Sequence, residues 1–97
     1  MKILWTIQAK EDLKEIFEYI SRDSRRYAQR QVGKIRKRVQ VLQSTPTLGK
    51  IVPEFHPEEV RELIEGNYRI IYRLNSPWIE ILLVHHSARD LKRRLPS

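Results

Sequence analysis

The apolar residues of this chain change period once, and no other feature constrains the fold as tightly. Between Ala9 and Leu42 they recur every three or four residues; from Val60 onward they alternate or run together as strand residues do. Ala9, Leu13, Ile16, Phe17 and Ile20 form one helical stripe, and Ala28, Val32, Ile35, Val39 and Leu42 form a second. The polar link Ser21-Arg22-Asp23-Ser24 supplies capping residues, so the two stripes predict an antiparallel helical hairpin. Ahead of it, Lys2 to Thr6 reads as a strand with Ile3 and Trp5 on one side. Thr6 is placed to cap the first helix, with Glu11 and Asp12 complementing its positive end.

Residues 43–59 follow neither period and hold Pro46, Gly49, Pro53 and Pro57, which predicts a long ordered loop. Beyond it, Val60 to Ile64, Tyr68 to Leu74 and Trp78 to His85 read as strands. The turns Glu65-Gly66-Asn67 and Asn75-Ser76-Pro77 join them. In the second of these strands Tyr68, Ile70, Tyr72 and Leu74 share one face, and Arg69, Ile71 and Arg73 the other. Ile81 to Val84 is apolar on both faces, which suits a central strand. The expected class is α+β: an N-terminal strand, a helical hairpin, then a three-stranded antiparallel meander, with the helices on one face of the sheet. Two helices cannot cover both faces, so the other is expected to stay partly open, with Arg69 and Arg73 pointing into it. One domain over 1–97 is expected, with 86–97 a basic C-terminal tail.

Charge narrows the function. Nineteen Lys and Arg, twelve of them Arg, stand against twelve Asp and Glu, a formal +7. Such a field attracts nucleic acid or an acidic protein. Seven cations, Arg25, Arg26, Arg30, Lys34, Arg36, Lys37 and Arg38, fall on the second helix with no acid among them. That face is either an electrostatic platform or a solvated helix surface. With no cysteine, disulfides and thiolate metal sites are excluded, and a reducing cytoplasm is the expected compartment. The longest aliphatic run, Ile81 to Val84, is far short of the ~20 residues of a membrane span.

His56, His85 and His86 lack metal-ligand spacing, and adjacent strand histidines point to opposite sides, so neither a metal nor a cofactor is expected. No glycine-rich phosphate loop occurs. Metal-independent RNA cleavage needs cations around a phosphorane and groups for proton transfer. Arg61, Arg69, Arg73 and Arg89 could supply the first, and Glu54, His85 or His86 the second. Alternatively, Arg61 and Arg69 pair across strands with Glu62 or Glu80.

Several runs resemble the RelE/ParE family of toxins from bacterial type II toxin–antitoxin modules. These are Ala9…Asp12-Leu13…Ile16…Tyr19-Ile20, Leu42…Pro46…Gly49…Val52-Pro53-Glu54, Arg61-Glu62-Leu63-Ile64…Tyr68-Arg69-Ile70-Ile71-Tyr72-Arg73, and Ile81 to Val84 leading into His85-His86…Arg89. The resemblance implies that family's fold and one of two activities. RelE-like members cut messenger RNA on the ribosome, which would make Arg69, Glu54 and His85 catalytic here. ParE-like members inhibit DNA gyrase without that set. No tyrosine occurs after Tyr72, and the place where many nucleases of the family hold Tyr or His falls near Ala88 or Arg89. The ending from His85 to Leu91 is more similar to the ParE group. Arg61, Arg69, Arg73, Arg89, Lys92, Arg93 and Arg94 are then the expected target contacts. The implied partner is an acidic antitoxin that wraps a helix and an extended segment around the toxin, with a higher-order complex to follow.

Overall fold

In the computed structural model, residues 1–54, 59–88, 91 and 94 are described. Strand β1 (Lys2–Trp5) leads into helix α1 (Ile7–Ser21), then α2 (Arg25–Gln40) and a short 3-10 turn at Val41–Gln43. Strands β2 (Lys50–Ile51), β3 (Val60–Glu65), β4 (Tyr68–Asn75) and β5 (Trp78–His86) follow. Thr6 and Ser24 cap the two helices, accepting from the N–H groups of Ala9 and Tyr27 at 3.1 Å each. Both predicted stripes face the sheet: Ala9, Leu13, Val32, Ile35, Val39 and Leu42 are buried, with Ile16 and Phe17 packed against them.

The sheet has five strands in the order β1-β5-β4-β3-β2. The expected meander is β3-β4-β5, and β5 lies inside the sheet, between β1 and β4, as its double-sided apolar run requires. Two features were not legible in the periodicity. A two-residue strand, β2, interrupts the predicted loop and pairs with β3 through Lys50–Glu62 and Ile51–Arg61. β1 runs parallel to β5 and pairs only with Trp78 to Ile81. At the β3–β4 turn Gly66 has φ 59°, a value that a side chain would disfavour and a type II′ hairpin needs.

A β-bulge lies in β5. Ile71 pairs with Leu83 but Tyr72 pairs with Ile81, so Leu82 has no partner on β4. The extra residue reverses the alternation: Ile79, Ile81 and Val84 face the helices, while Leu83 joins Val52, Val60, Ile71 and Leu91 in a smaller core on the opposite face. The face expected to be partly open is therefore covered along its middle by loop residue Val52 and arm residue Leu91. β5 also runs through His86, so the C-terminal arm begins one residue later than predicted.

Tyr72 ties the loop to the sheet. Its hydroxyl donates to the Pro46 carbonyl at 2.9 Å and accepts from the Gly49 N–H at 2.8 Å. Glycine is required at 49, because a Cβ there would stand 2.5 Å from the Glu62 carbonyl oxygen and 2.6 Å from the Tyr72 hydroxyl. Burial pushes the Tyr72 phenol above its ordinary 10.0, against the lowering influence of the Gly49 N–H and the Arg61 charge. A raised folded-state value means that the neutral phenol contributes fully below pH 10.0, and that this contribution is lost as pH rises through the folded-state value. Tyr72→Phe orphans two backbone groups and is expected to lower stability by about 1–3 kcal/mol in denaturant unfolding at neutral pH. Above pH 10.0 the gap between the variant and the parent should narrow, since only the parent has this phenol to ionise.

Candidate functional site

The candidate residues gather on the face of β4 and β5 that turns away from the helices. Arg69 pairs across strands with His85, and both lie on the same side as Ile71 and Leu83. Strand alternation alone places Arg69 there; the bulge at Leu82 places His85. Without that extra residue His85 would face α1.

The Arg69 guanidinium is held from two sides. Its Nη1 and Nη2 donate to Glu54 Oε2 and Oε1 at 2.7 and 2.9 Å, a fork-to-fork pair, and Nε donates to Glu62 Oε2 at 2.6 Å. The Glu54 hydrogen bonds, then the Glu62 contacts, hold Arg69 above the ordinary arginine range despite the opposing effect of burial. The side chain is only 13% exposed and lies between two carboxylates. A guanidinium so bound is directed at carboxylates of its own chain. Sequence reasoning had pairing with Glu62 as one alternative; the Glu54 contact depends on the loop's path from Gly49.

The other predicted cations have separate environments. Arg61 lies opposite Tyr72 on the helix side of β3, where its Nη1 donates to the Gly49 carbonyl at 2.9 Å. Arg73 stands beside Val60 and Glu80 on the opposite face, half-buried, with no hydrogen-bond partner for its buried Nε. Arg89, Lys92, Arg93 and also His56 lie outside the described residues. On α2, Arg26, Arg30, Lys34 and Lys37 are exposed opposite the buried stripe, as the helical period predicts.

Arg94 is not a free surface cation. Its Nη2 donates to both Asp12 oxygens at 2.7 and 2.8 Å, and its Nη1 lies 3.1 Å from His85 Nδ1. His85 is 1% exposed, so its ring cannot reach a substrate without rearrangement. His86 turns to the other side, edge-on to Tyr68 with ring centroids 5.5 Å apart, and its Nδ1 accepts from the Ala88 N–H at 3.2 Å. Asp12 was expected to complement the α1 dipole; instead it is buried beside the sheet, accepting from the Val84 N–H at 2.9 Å. Its position between Ala9 and Leu13 and Ile16, inside the apolar stripe, was the available signal. A carboxylate at such a site must be paired.

On the other side of the molecule, a groove of about 580 Å³ runs between β1 and the helices. Trp5, Leu13, Phe17 and Val32 line it, with Lys10 and Arg36 at its rim. Among the described residues no helix is long and apolar enough to cross a membrane.

The family described as the ParE toxin of type II toxin–antitoxin systems, parDE, matches residues 3–91. A structure of the chromosomal ParDE toxin–antitoxin system from P. aeruginosa superposes with a TM-score of 0.75 at 27% identity, over 89% of this chain and 95% of that one. The toxin–antitoxin complex RelBE2 from Mycobacterium tuberculosis gives 0.64 at 20% identity, over 88% and 95%, a likeness of fold alone. No curated protein sequence matches the chain.

Removing Arg69 would take from the partly buried Glu54 and Glu62 the cation they share. Arg69→Ala is expected to cost about 2–4 kcal/mol, between the exposed-pair and buried-pair limits. Adding Glu54→Gln should recover part of that loss in the same unfolding assay, because it relieves the repulsion.

Proposed function

The chain belongs to the ParE toxin family of type II toxin–antitoxin systems, and from that premise we propose that it arrests growth by inhibiting DNA gyrase as a binding protein rather than as a nuclease. The observation that carries this reading is the state of the candidate nuclease residues. RNA cleavage without a metal requires a base that reaches the ribose 2′-hydroxyl and a cation facing the phosphorane. Here Arg69 is enclosed by Glu54 and Glu62, and His85 is buried beneath Arg94. The same cluster that would have to perform catalysis is neutralised by its own carboxylates.

A binding mechanism draws on charge that is available. The exposed cations of α2 and those of the arm, Arg89, Lys92 and Arg93, suit a negatively charged target such as an enzyme–DNA complex. Neutralisation would fall to a cognate acidic antitoxin in the cytoplasm. The groove between β1 and the helices fits an amphipathic acidic helix: Trp5, Leu13, Phe17 and Val32 offer an apolar floor, and Lys10, Lys14 and Arg36 offer positive charge. β1 and β2 form the two sheet edges, where an extended antitoxin segment could add a strand. A partner that engages both features would support assembly into a higher-order complex.

Pulse-labelling after induced expression tests the target. Thymidine incorporation is expected to fall first, with amino-acid incorporation intact. An early fall in amino-acid incorporation would overturn the gyrase reading in favour of a messenger-RNA endoribonuclease acting at the ribosome through Arg69, Glu54 and His85. Growth without arrest would overturn both.

A further inference from the structure

Three features of the outer face of α2 work against the helix that carries them. Arg25 and Arg26 stand in its first turn, where the helix dipole disfavours positive charge, and no acid accompanies them there. Along the exposed stripe of Arg26, Arg30, Lys34 and Lys37, like charges recur four residues apart, at Arg26 and Arg30 and again at Arg30 and Lys34. Among the described residues none of these cations enters an ion pair, and the exposed acids of the hairpin, Glu11, Glu15 and Glu18, lie on α1.

The third feature is Gly33. It lies in the interior of α2, where glycine weakens a helix, and a Cβ there would meet no atom of the chain within 4 Å. Nothing inside the fold requires glycine at this position. One turn away on either side stand Gln29, Arg30, Arg36 and Lys37, all exposed, so cations and an amide surround a notch in the helix surface. Close approach by something outside the chain accounts for a glycine there.

The chemistry of the stripe favours a phosphate backbone over an acidic protein. Positions 26, 30, 33, 34 and 37 hold no apolar or aromatic residue to anchor a protein interface, whereas nucleic-acid interfaces are polar and strongly positive. Single strands are gripped by stacked aromatics, and the only aromatic residue of α2, Tyr27, lines a separate cleft beside Tyr68 and His86. From Arg26 to Lys37 the stripe covers roughly 16 Å of helix, enough to meet several phosphates of one strand.

We propose that the outer face of α2, centred on Gly33, docks on the phosphate backbone of duplex DNA, and that the toxin holds the DNA of the gyrase complex through it. The inference rests on the gyrase reading and names the duplex, not the enzyme, as what α2 touches. Phosphates seated among Arg26, Arg30 and Lys34 turn mutual repulsion into shared attraction and release counterions. The missing side chain at Gly33 lets the strand lie against the helix.

The test is fluorescence anisotropy of a short labelled duplex of arbitrary sequence, titrated with the full chain and its variants across a salt series. Lys34→Gln with Lys37→Gln is expected to weaken binding at least about tenfold at low salt, and to flatten the slope of log affinity against log salt by about 1.8. Arg22→Gln with Lys50→Gln, an equal loss of exposed charge away from α2, should weaken it much less. Gly33→Gln is expected to raise the unfolding temperature and yet weaken binding, a combination that a merely structural glycine would not give. The proposal is overturned if no duplex binds at low salt, if the Arg22 and Lys50 pair matters as much as the α2 pair, or if Gly33→Gln binds like the parent. Tighter binding of the single strand would overturn it too, as would displacement of the duplex by polyglutamate at equal charge, the mark of an acidic-protein surface. Thymidine incorporation on induction keeps the two readings apart. A Lys34 and Lys37 variant that stops incorporation as the parent does would overturn the DNA contact and leave gyrase inhibition standing. A parent that does not stop incorporation would remove the gyrase reading, and with it the proposed role of the contact.

Discussion

β5 is longer than the strand that flanks it, and the rest of the architecture follows from how that mismatch is met. β1 pairs with only Trp78 to Ile81, so the edge of β5 beyond Ile81 would carry unpaired backbone groups. Two side chains from the start of the helical region supply the missing partners. The Thr6 hydroxyl donates to the Leu82 carbonyl at 3.1 Å and joins the Thr6 N–H at the Ile81 carbonyl, at 2.8 and 3.1 Å, while also capping α1. Asp12, two turns along, accepts the Val84 N–H. The helix is thus fixed to the sheet by hydrogen bonds at its N-terminal end and by apolar packing along the rest of its buried face.

That arrangement surrounds the bulge at Leu82, and the bulge decides which histidine meets which surroundings. His85 is turned to the face of Arg69, Glu54 and Glu62, and His86 to the face of Tyr68. The cations consequently divide by role. Arg61, Arg69 and Arg94 brace the loop, the sheet face and the arm respectively, each holding carbonyls or carboxylates of its own chain. The α2 cations hold none of these positions and remain on the surface. Among the described residues the exposed positive charge therefore lies chiefly on α2, and not on the strand arginines that look most prominent in the sequence.

Much of the fold was legible from residue patterns, because both helices and the β3–β4–β5 meander bury one continuous apolar face, and burial imprints its period on the sequence. Thr6 and Ser24 were recognisable as caps for an equally local reason. β2 escaped because two residues are too few to carry a period. The candidate site was legible only in composition. Arg69, Glu54 and His85 could be named, but the predicted open face is covered by Val52 and Leu91, and the predicted dipole partner Asp12 is buried against β5.

The sequence by itself determined the elements, their order, the helix-facing side of the sheet and the basic surface of α2, since each depends on neighbours within a few residues. Only the tertiary structure decided the parallel pairing of β1 with β5, the reversal of alternation at Leu82, and the pairing of Asp12 with Arg94 and of Glu54 with Arg69. Those contacts join residues 82 and 15 positions apart. No local propensity encodes them, because a charged residue is directed to its partner by the geometry of the folded backbone and not by its sequence neighbours.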